Sequence, residues 1–168
     1  MAIEIERKFL VVGDAWRAEV SRAVEMRQGY LTQEAGRASV RVRIAGAQAT
    51  LNIKAAVVGS VRAEYEYAIP LADARELLDT LCVGKLEKIR HYIVYPVSDP
   101  GARQDVTWEI DEFLGDNAGL VIAEIELAAV DRPFVRPAWL GRELTFDRRY
   151  YNHHLALHPF RSWGGDAS

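Results

Sequence analysis

Period-two alternation, repeated in segment after segment, restricts this chain more than any other feature. Successive strand residues point to opposite faces. Glu4, Glu6 and Lys8 therefore share a face, opposite Ile3, Ile5 and Phe9. Arg41 and Arg43 oppose Val40, Val42 and Ile44, and Lys54 with Asn52 opposes Leu51 and Ile53. Arg62, Glu64 and Glu66 oppose Tyr65 and Tyr67, and Lys88 with Arg90 opposes Ile89. Glu109 and Asp111 flank Ile110, and Glu124 and Glu126 flank Ile125. The pattern predicts strands over 3–11, 26–32, 38–45, 49–55, 62–69, 85–97, 105–113 and 120–128, separated by turn residues such as Gly46-Ala47, Gly59-Ser60 and Asp116-Asn117-Ala118-Gly119. Helical patterns are fewer: Leu71–Leu81 is the clearest, with short candidates at 14–20, 133–140 and 152–157. Eight strands in 168 residues suit a mainly β chain with peripheral α, folded as a barrel or sandwich with small helices outside.

Composition narrows the function. With 49% hydrophobic and 27% charged residues the chain can bury a core. A net charge of −3 weighs against a general binder of nucleic acid or anionic membranes. Cys82 is the only cysteine, which rules out an intrachain disulfide and a cysteine zinc site and suits a reducing compartment. The first eight residues are too charged for a signal peptide, and no apolar run reaches the ~18 residues of a membrane span, so a cytoplasmic location is expected. The end, Gly164-Gly165-Asp166-Ala167-Ser168, reads as a frayed tail.

Any one charged pair is what a solvated sheet face normally shows. The set is different, because some strands carry acidic pairs, others basic pairs, and one carries Glu-x-Glu-x-Lys. If the sheet closes, eight acidic and seven basic side chains can converge on one interior. Unpaired charges there cost several kcal/mol each unless water or a charged ligand compensates them. Carboxylates suit a hard divalent cation, and arginines clamp phosphate oxygens with two donors. Together they point to a metal–polyphosphate complex. Glu4 to Lys8 spans roughly 13 Å of strand, which is comparable to an extended triphosphate. A shared metal is expected where Glu4 or Glu6 meets Glu124 or Glu126 across paired strands.

Glu4-Ile5-Glu6-Arg7-Lys8 resembles the Glu-x-Glu-x-Lys signature of the triphosphate tunnel metalloenzymes, the CYTH superfamily. The likeness continues in order through Arg41-Val42-Arg43, Lys54, Glu64-Tyr65-Glu66, Lys88-Ile89-Arg90, Glu109-Ile110-Asp111 and Glu124-Ile125-Glu126. Phe146-Asp147-Arg148-Arg149-Tyr150 resembles the family's C-terminal signature. The resemblance implies an eight-stranded antiparallel β-barrel forming a tunnel, with residues 1–160 as one domain and 161–168 as a tail. It implies Glu4, Glu6, Glu124 and Glu126 as metal ligands with Asp111 helping, and Glu4, Glu6 and Lys8 as the catalytic set. Lys8, Arg41, Arg43, Lys54, Arg62, Lys88 and Arg90 become phosphate binders, with Glu64, Glu66 and Glu109 in support. The expected cofactor is Mg²⁺ or Mn²⁺, two ions during turnover: one fixes the substrate and the other lowers the pKa of the attacking water.

Compact bacterial members resembling this chain are most often inorganic triphosphatases, so the expected partner is a small polyphosphate rather than nucleic acid or membrane, acted on by a monomer or homodimer. The alternatives are an adenylyl cyclase or a thiamine or nucleoside triphosphatase of the same fold, or a non-catalytic polyphosphate-binding module. No P-loop motif is present. His91 has opposite parity to Lys88 and Arg90 and is placed outside the interior; Cys82 reads as a buried thiol, and the four tryptophans as packing residues. Arg148 and Arg149 suit either phosphate or the surface. His154 and His158 have helical i,i+4 spacing, but no third ligand is near in sequence and Pro159 follows at once, so they are not read as a metal site.

Overall fold

The computed structural model describes residues 2–34, 36–95 and 106–164. Eight strands are β1 Ala2–Val11, β2 Arg22–Tyr30, β3 Ala38–Ala45, β4 Gln48–Ala55, β5 Val61–Ala68, β6 Gly84–Tyr95, β7 Val106–Phe113 and β8 Val121–Glu126. They are antiparallel in the order β5-β4-β3-β2-β6-β7-β8-β1, and β1 also pairs with β5, which closes the barrel. The period-two reading thus gives the right architecture and nearly all strand positions. A ninth short strand, β9 Leu140–Glu143, takes over from β5 along the second half of β1. Helix α1 spans Leu71–Thr80 and helix α2 spans Asn152–Leu157. The frayed ending expected beyond Gly164 lies outside the described residues.

Two of the expected helices take other forms. Residues Ala15–Glu19 make a 3-10 turn in which Asp14 pairs with Arg17 instead of capping the backbone. Residues 133–140 are not helical. Pro133 and Pro137 each lack a backbone donor, and the carbonyl of Trp139 accepts from the Val12 amide. This segment instead lays Phe134 and Trp139 against Phe9 and Trp108.

The alternation sorts the core. Outward apolar residues of β1, β6, β7 and β8 join Trp16, Trp139 and Leu127 in one buried cluster. Helix α1 covers β3 and β4 through Ala74 and Leu78 against Val42 and Ala49. The third cluster lies inside the barrel, because Leu86, Phe113 and Ile122 share the face of Lys88, Asp111 and Glu124. These residues pack with Leu144, Tyr150 and Leu155, so α2 and the chain before it fill one end of the interior.

Gly84 fixes how closely this plug seats. A Cβ there would stand 2.7 Å from the Ala156 carbonyl oxygen and 2.8 Å from a Leu157 methyl. Backbone cannot give way as a flexible side chain can. Gly84→Ala is expected to cost about 1–3 kcal/mol in urea unfolding by forcing α2 off β6. A loss below a few tenths of a kcal/mol would contradict this packing.

Candidate active site

The charged faces meet in a cavity of about 620 Å³. It is lined by Glu4, Glu6 and Lys8 from β1, Arg41 and Arg43 from β3, and Lys54 from β4. Arg62, Glu64 and Glu66 come from β5, Arg90 from β6, Glu109 from β7, and Glu124 and Glu126 from β8. Two candidates, Lys88 and Asp111, do not line it. Both sit at the junction of cavity and apolar plug, where Lys88 lies over the Phe113 ring.

Register explains the meeting. Across β1 and β8, Glu6 stands opposite Glu126 and Lys8 opposite Glu124, while Glu109 faces Glu124 across β7 and β8. Lys8 Nζ lies 2.6 Å from Glu6 Oε1 and also donates to Glu124 Oε1. Burial works against its charge, but Glu124 and Glu6 outweigh burial and raise the ammonium above its ordinary value. Burial likewise opposes the Glu124 charge, yet Lys8 and Arg90 hold this carboxyl well below the usual range. Glu6 is also lowered, because Lys8, Lys54 and Arg62 overcome burial and the nearby Glu124.

Glu4 and Glu109 behave differently. Burial and Glu6 push the Glu4 carboxyl up despite Lys54, whose Nζ donates to it at 2.8 and 2.9 Å. Burial raises Glu109 although Arg90 donates to it. These two carboxylates are under-neutralised. Five carboxylates on three adjacent strands border one cavity, and oxygen donors of this kind are what hard divalent cations take. The residues therefore fit such an ion.

The basic wall has the complementary property. Arg41 is 9% exposed, and no carboxylate pairs with it among the described residues. Its Nε has no hydrogen-bond partner, and neither has the buried Nε of Arg62. Arg43 reaches Glu66 at 2.9 Å, yet burial and the neighbouring Arg41 and Arg90 lower its pKa. Arg41, a wall cation with no carboxylate partner among the described residues, shares the cavity with two carboxyls that burial holds above their ordinary values, an arrangement suited to a cation–polyanion pair.

Beneath the cavity, Asp111 is fully buried. It accepts from Lys88 Nζ at 2.5 Å and from Arg90 Nε and Nη2 at 2.7 Å each. Arg90 also donates to Glu124 at 2.7 Å, so Asp111 fixes a guanidinium that does border the cavity. Arg148 and Arg149, suited by sequence to either phosphate or the surface, both border the cavity. Tyr30, Ser39, Tyr151, Asn152 and His153 border it too, and no charge pattern in the sequence marks them.

A family model described as CYTH domain matches residues 2–154. The chain belongs to the CYTH family. It is 42% identical over 164 residues to an inorganic triphosphatase of Acetivibrio thermocellus, covering 97% of this chain and 99% of that protein. It is 33% identical over 156 residues to an inorganic triphosphatase of Nitrosomonas europaea, covering 92% and 97%. A crystal structure of an inorganic triphosphatase superposes with a TM-score of 0.62 at 33% identity, covering 94% of this chain and 96% of that one. CYTH triphosphatases are generally metal-dependent. Among the described residues no helix is long and apolar enough to cross a membrane.

Proposed function

We propose that this CYTH chain hydrolyses inorganic triphosphate to pyrophosphate and phosphate with Mg²⁺ or Mn²⁺. The observation that carries the reading is Arg41, a nearly buried cation on the cavity wall without a carboxylate partner among the described residues. The relatives named inorganic triphosphatase, similar along almost the whole chain, support the same substrate. Glu4, Glu6, Glu124 and Glu126 are the proposed ligands. A cation held by them supplies polarisation of phosphate oxygens and a lowered pKa for a coordinated water.

The chain's own side chains position and neutralise. Arg41, Arg43, Lys54 and Arg62 line the wall that takes phosphate oxygens, and Arg90 approaches from the opposite strands. Lys8 bridges Glu6 and Glu124 on the cavity wall, where its ammonium would neutralise a phosphate oxygen beside the carboxylates that would hold the cation. Asp111 is proposed to position Arg90, with Glu109 and Glu124 completing that guanidinium's contacts. Lys88 bears on the site through Asp111 and Asn152. Catalysis of this kind is mostly alignment and charge neutralisation.

The test is phosphate release from tripolyphosphate, ATP and thiamine triphosphate, with an assay for cyclic AMP. Turnover is expected to be highest with tripolyphosphate, to require Mg²⁺ or Mn²⁺, and to fall to background in excess chelator. Glu126→Gln is expected to reduce it by about 10²-fold. Cleavage of ATP with cyclic AMP formation would replace the reading with a cyclase, and tight binding without cleavage would leave a binding module.

A further inference from the structure

The i,i+4 pair His154 and His158 acquires a third partner that is remote in sequence. Glu34, in the connection between β2 and β3, lies against both rings. His154 Nδ1 is 2.9 Å from Glu34 Oε1, and His158 Nε2 is 3.4 Å from Glu34 Oε2. One candidate ligand atom from each residue lies within 4.8 Å of the other two. The last bond of α2, from the His158 amide to the His154 carbonyl at 2.7 Å, sets the second imidazole one turn beyond the first. Their ring centroids are 4.5 Å apart.

We propose that Glu34, His154 and His158 form a binding site for a borderline divalent cation of the Zn²⁺ type at the rim of the cavity. Two imidazoles and one carboxylate are a common zinc donor set that leaves a fourth position for solvent. Metal–ligand bonds of 2.0–2.2 Å in a tetrahedron put donors roughly 3.4 Å apart, close to the 2.9 and 3.4 Å between the imidazole nitrogens and the Glu34 oxygens. The scaffold is fixed by neighbours. His153 donates from Nε2 to the Thr32 carbonyl at 2.7 Å and stacks on Tyr30 at 4.3 Å. Trp163 donates to the His158 carbonyl at 2.9 Å.

This site differs in kind from the carboxylate set on β1 and β8. Imidazole nitrogen selects Zn²⁺, Co²⁺ or Ni²⁺, whereas Mg²⁺ holds to oxygen. It also joins two segments far apart in the chain, because Glu34 belongs to the β2–β3 connection and both histidines to the C-terminal segment. Glu34 and His154 border the cavity, so the ion fastens these segments together beside it. Cation binding here does not depend on the reaction assigned to the cavity.

The experiment is a Co²⁺ titration of the full chain in excess Mg²⁺, followed by visible absorption, with Zn²⁺ as competitor. Four-coordinate Co²⁺ with nitrogen ligands absorbs far more strongly than six-coordinate Co²⁺ among oxygens, so the readout ignores metal held by the carboxylates alone. One intense, Zn²⁺-displaceable equivalent is expected. His154→Ala and His158→Ala are each expected to weaken it about tenfold or more. Glu34→Gln, in an exposed connection, serves as a third variant should a histidine change disturb folding. No intense band in the wild type, or an unchanged band in the variants, overturns the site.

Discussion

Replacing Arg41 by alanine is expected to reduce kcat/KM for tripolyphosphate by about 10²-fold while leaving stability unchanged or slightly higher. Both halves follow from one geometry. The guanidinium is nearly buried, its Nε is unbonded, and no carboxylate pairs with it among the described residues. It lies close enough to Arg43 to lower that neighbour's pKa. Removing it therefore relieves repulsion and breaks no ion pair, although it gives up the side-chain hydrogen bond with Tyr30. A charged hydrogen bond to a phosphate oxygen contributes about 1.5–3 kcal/mol, or roughly 10- to 10²-fold. Loss of two-donor contact to a transferring group reaches the upper part of this range. Arg41→Lys keeps the charge but not the planar fork, and is expected to recover only part of the loss. Steady-state kinetics and urea melts on the same preparations provide the test. A rate within threefold of wild type would remove Arg41 from the site, and a large loss of stability would show that it has a structural counter-ion after all.

How much of this was legible beforehand depended on the kind of residue. Parity placed Glu4, Glu6, Lys8, Arg41, Arg43, Arg62, Glu124 and Glu126 on one surface because strand geometry has a strict period. Parity says nothing about depth along the barrel. Lys88 and Asp111 obey the same alternation as Arg90 and Glu109, yet they stand nearer the plug formed with Leu86, Phe113 and Ile122. Only the packing of α2 reveals that end. The stretch 133–140 departs from its expected helix for a related reason. Its apolar residues suit a helix face, but two prolines and contacts with Phe9 and Trp108 keep it open. Strand β9 carries no period in the sequence, because Leu140–Glu143 is too short to show one and contains a glycine. Glu34 could not be linked to His154 from sequence, since their contact spans 120 residues.

Asp111→Asn is expected to destabilise the barrel by about 3–5 kcal/mol in urea unfolding. The carboxylate is fully buried between Lys88 and Arg90, and asparagine fills the same volume without the charge. Two buried cations then lose their shared counter-ion, but they do not respond alike. Arg90 stays charged and keeps Glu109 and Glu124 as partners. Lys88 can shed its proton: burial, aided by Arg90, already brings it down from 10.5 to about 8 against the pull of Asp111. Without Asp111 its pKa falls further. Between the folded and unfolded values the unfolded chain binds the extra proton, so stability rises with pH across that interval. In the wild type this interval runs from about 8 to 10.5. In Asp111→Asn it is expected to open at lower pH, so that the variant regains stability on going from pH 6 to 8 while the wild-type contribution of Lys88 stays flat. Lys88→Met in the Asp111→Asn background removes the titrating group and is expected to abolish that slope. A penalty below 1 kcal/mol, or the same slope with and without Lys88, would mean that water reaches Asp111 and that the pair is not sealed beneath the cavity.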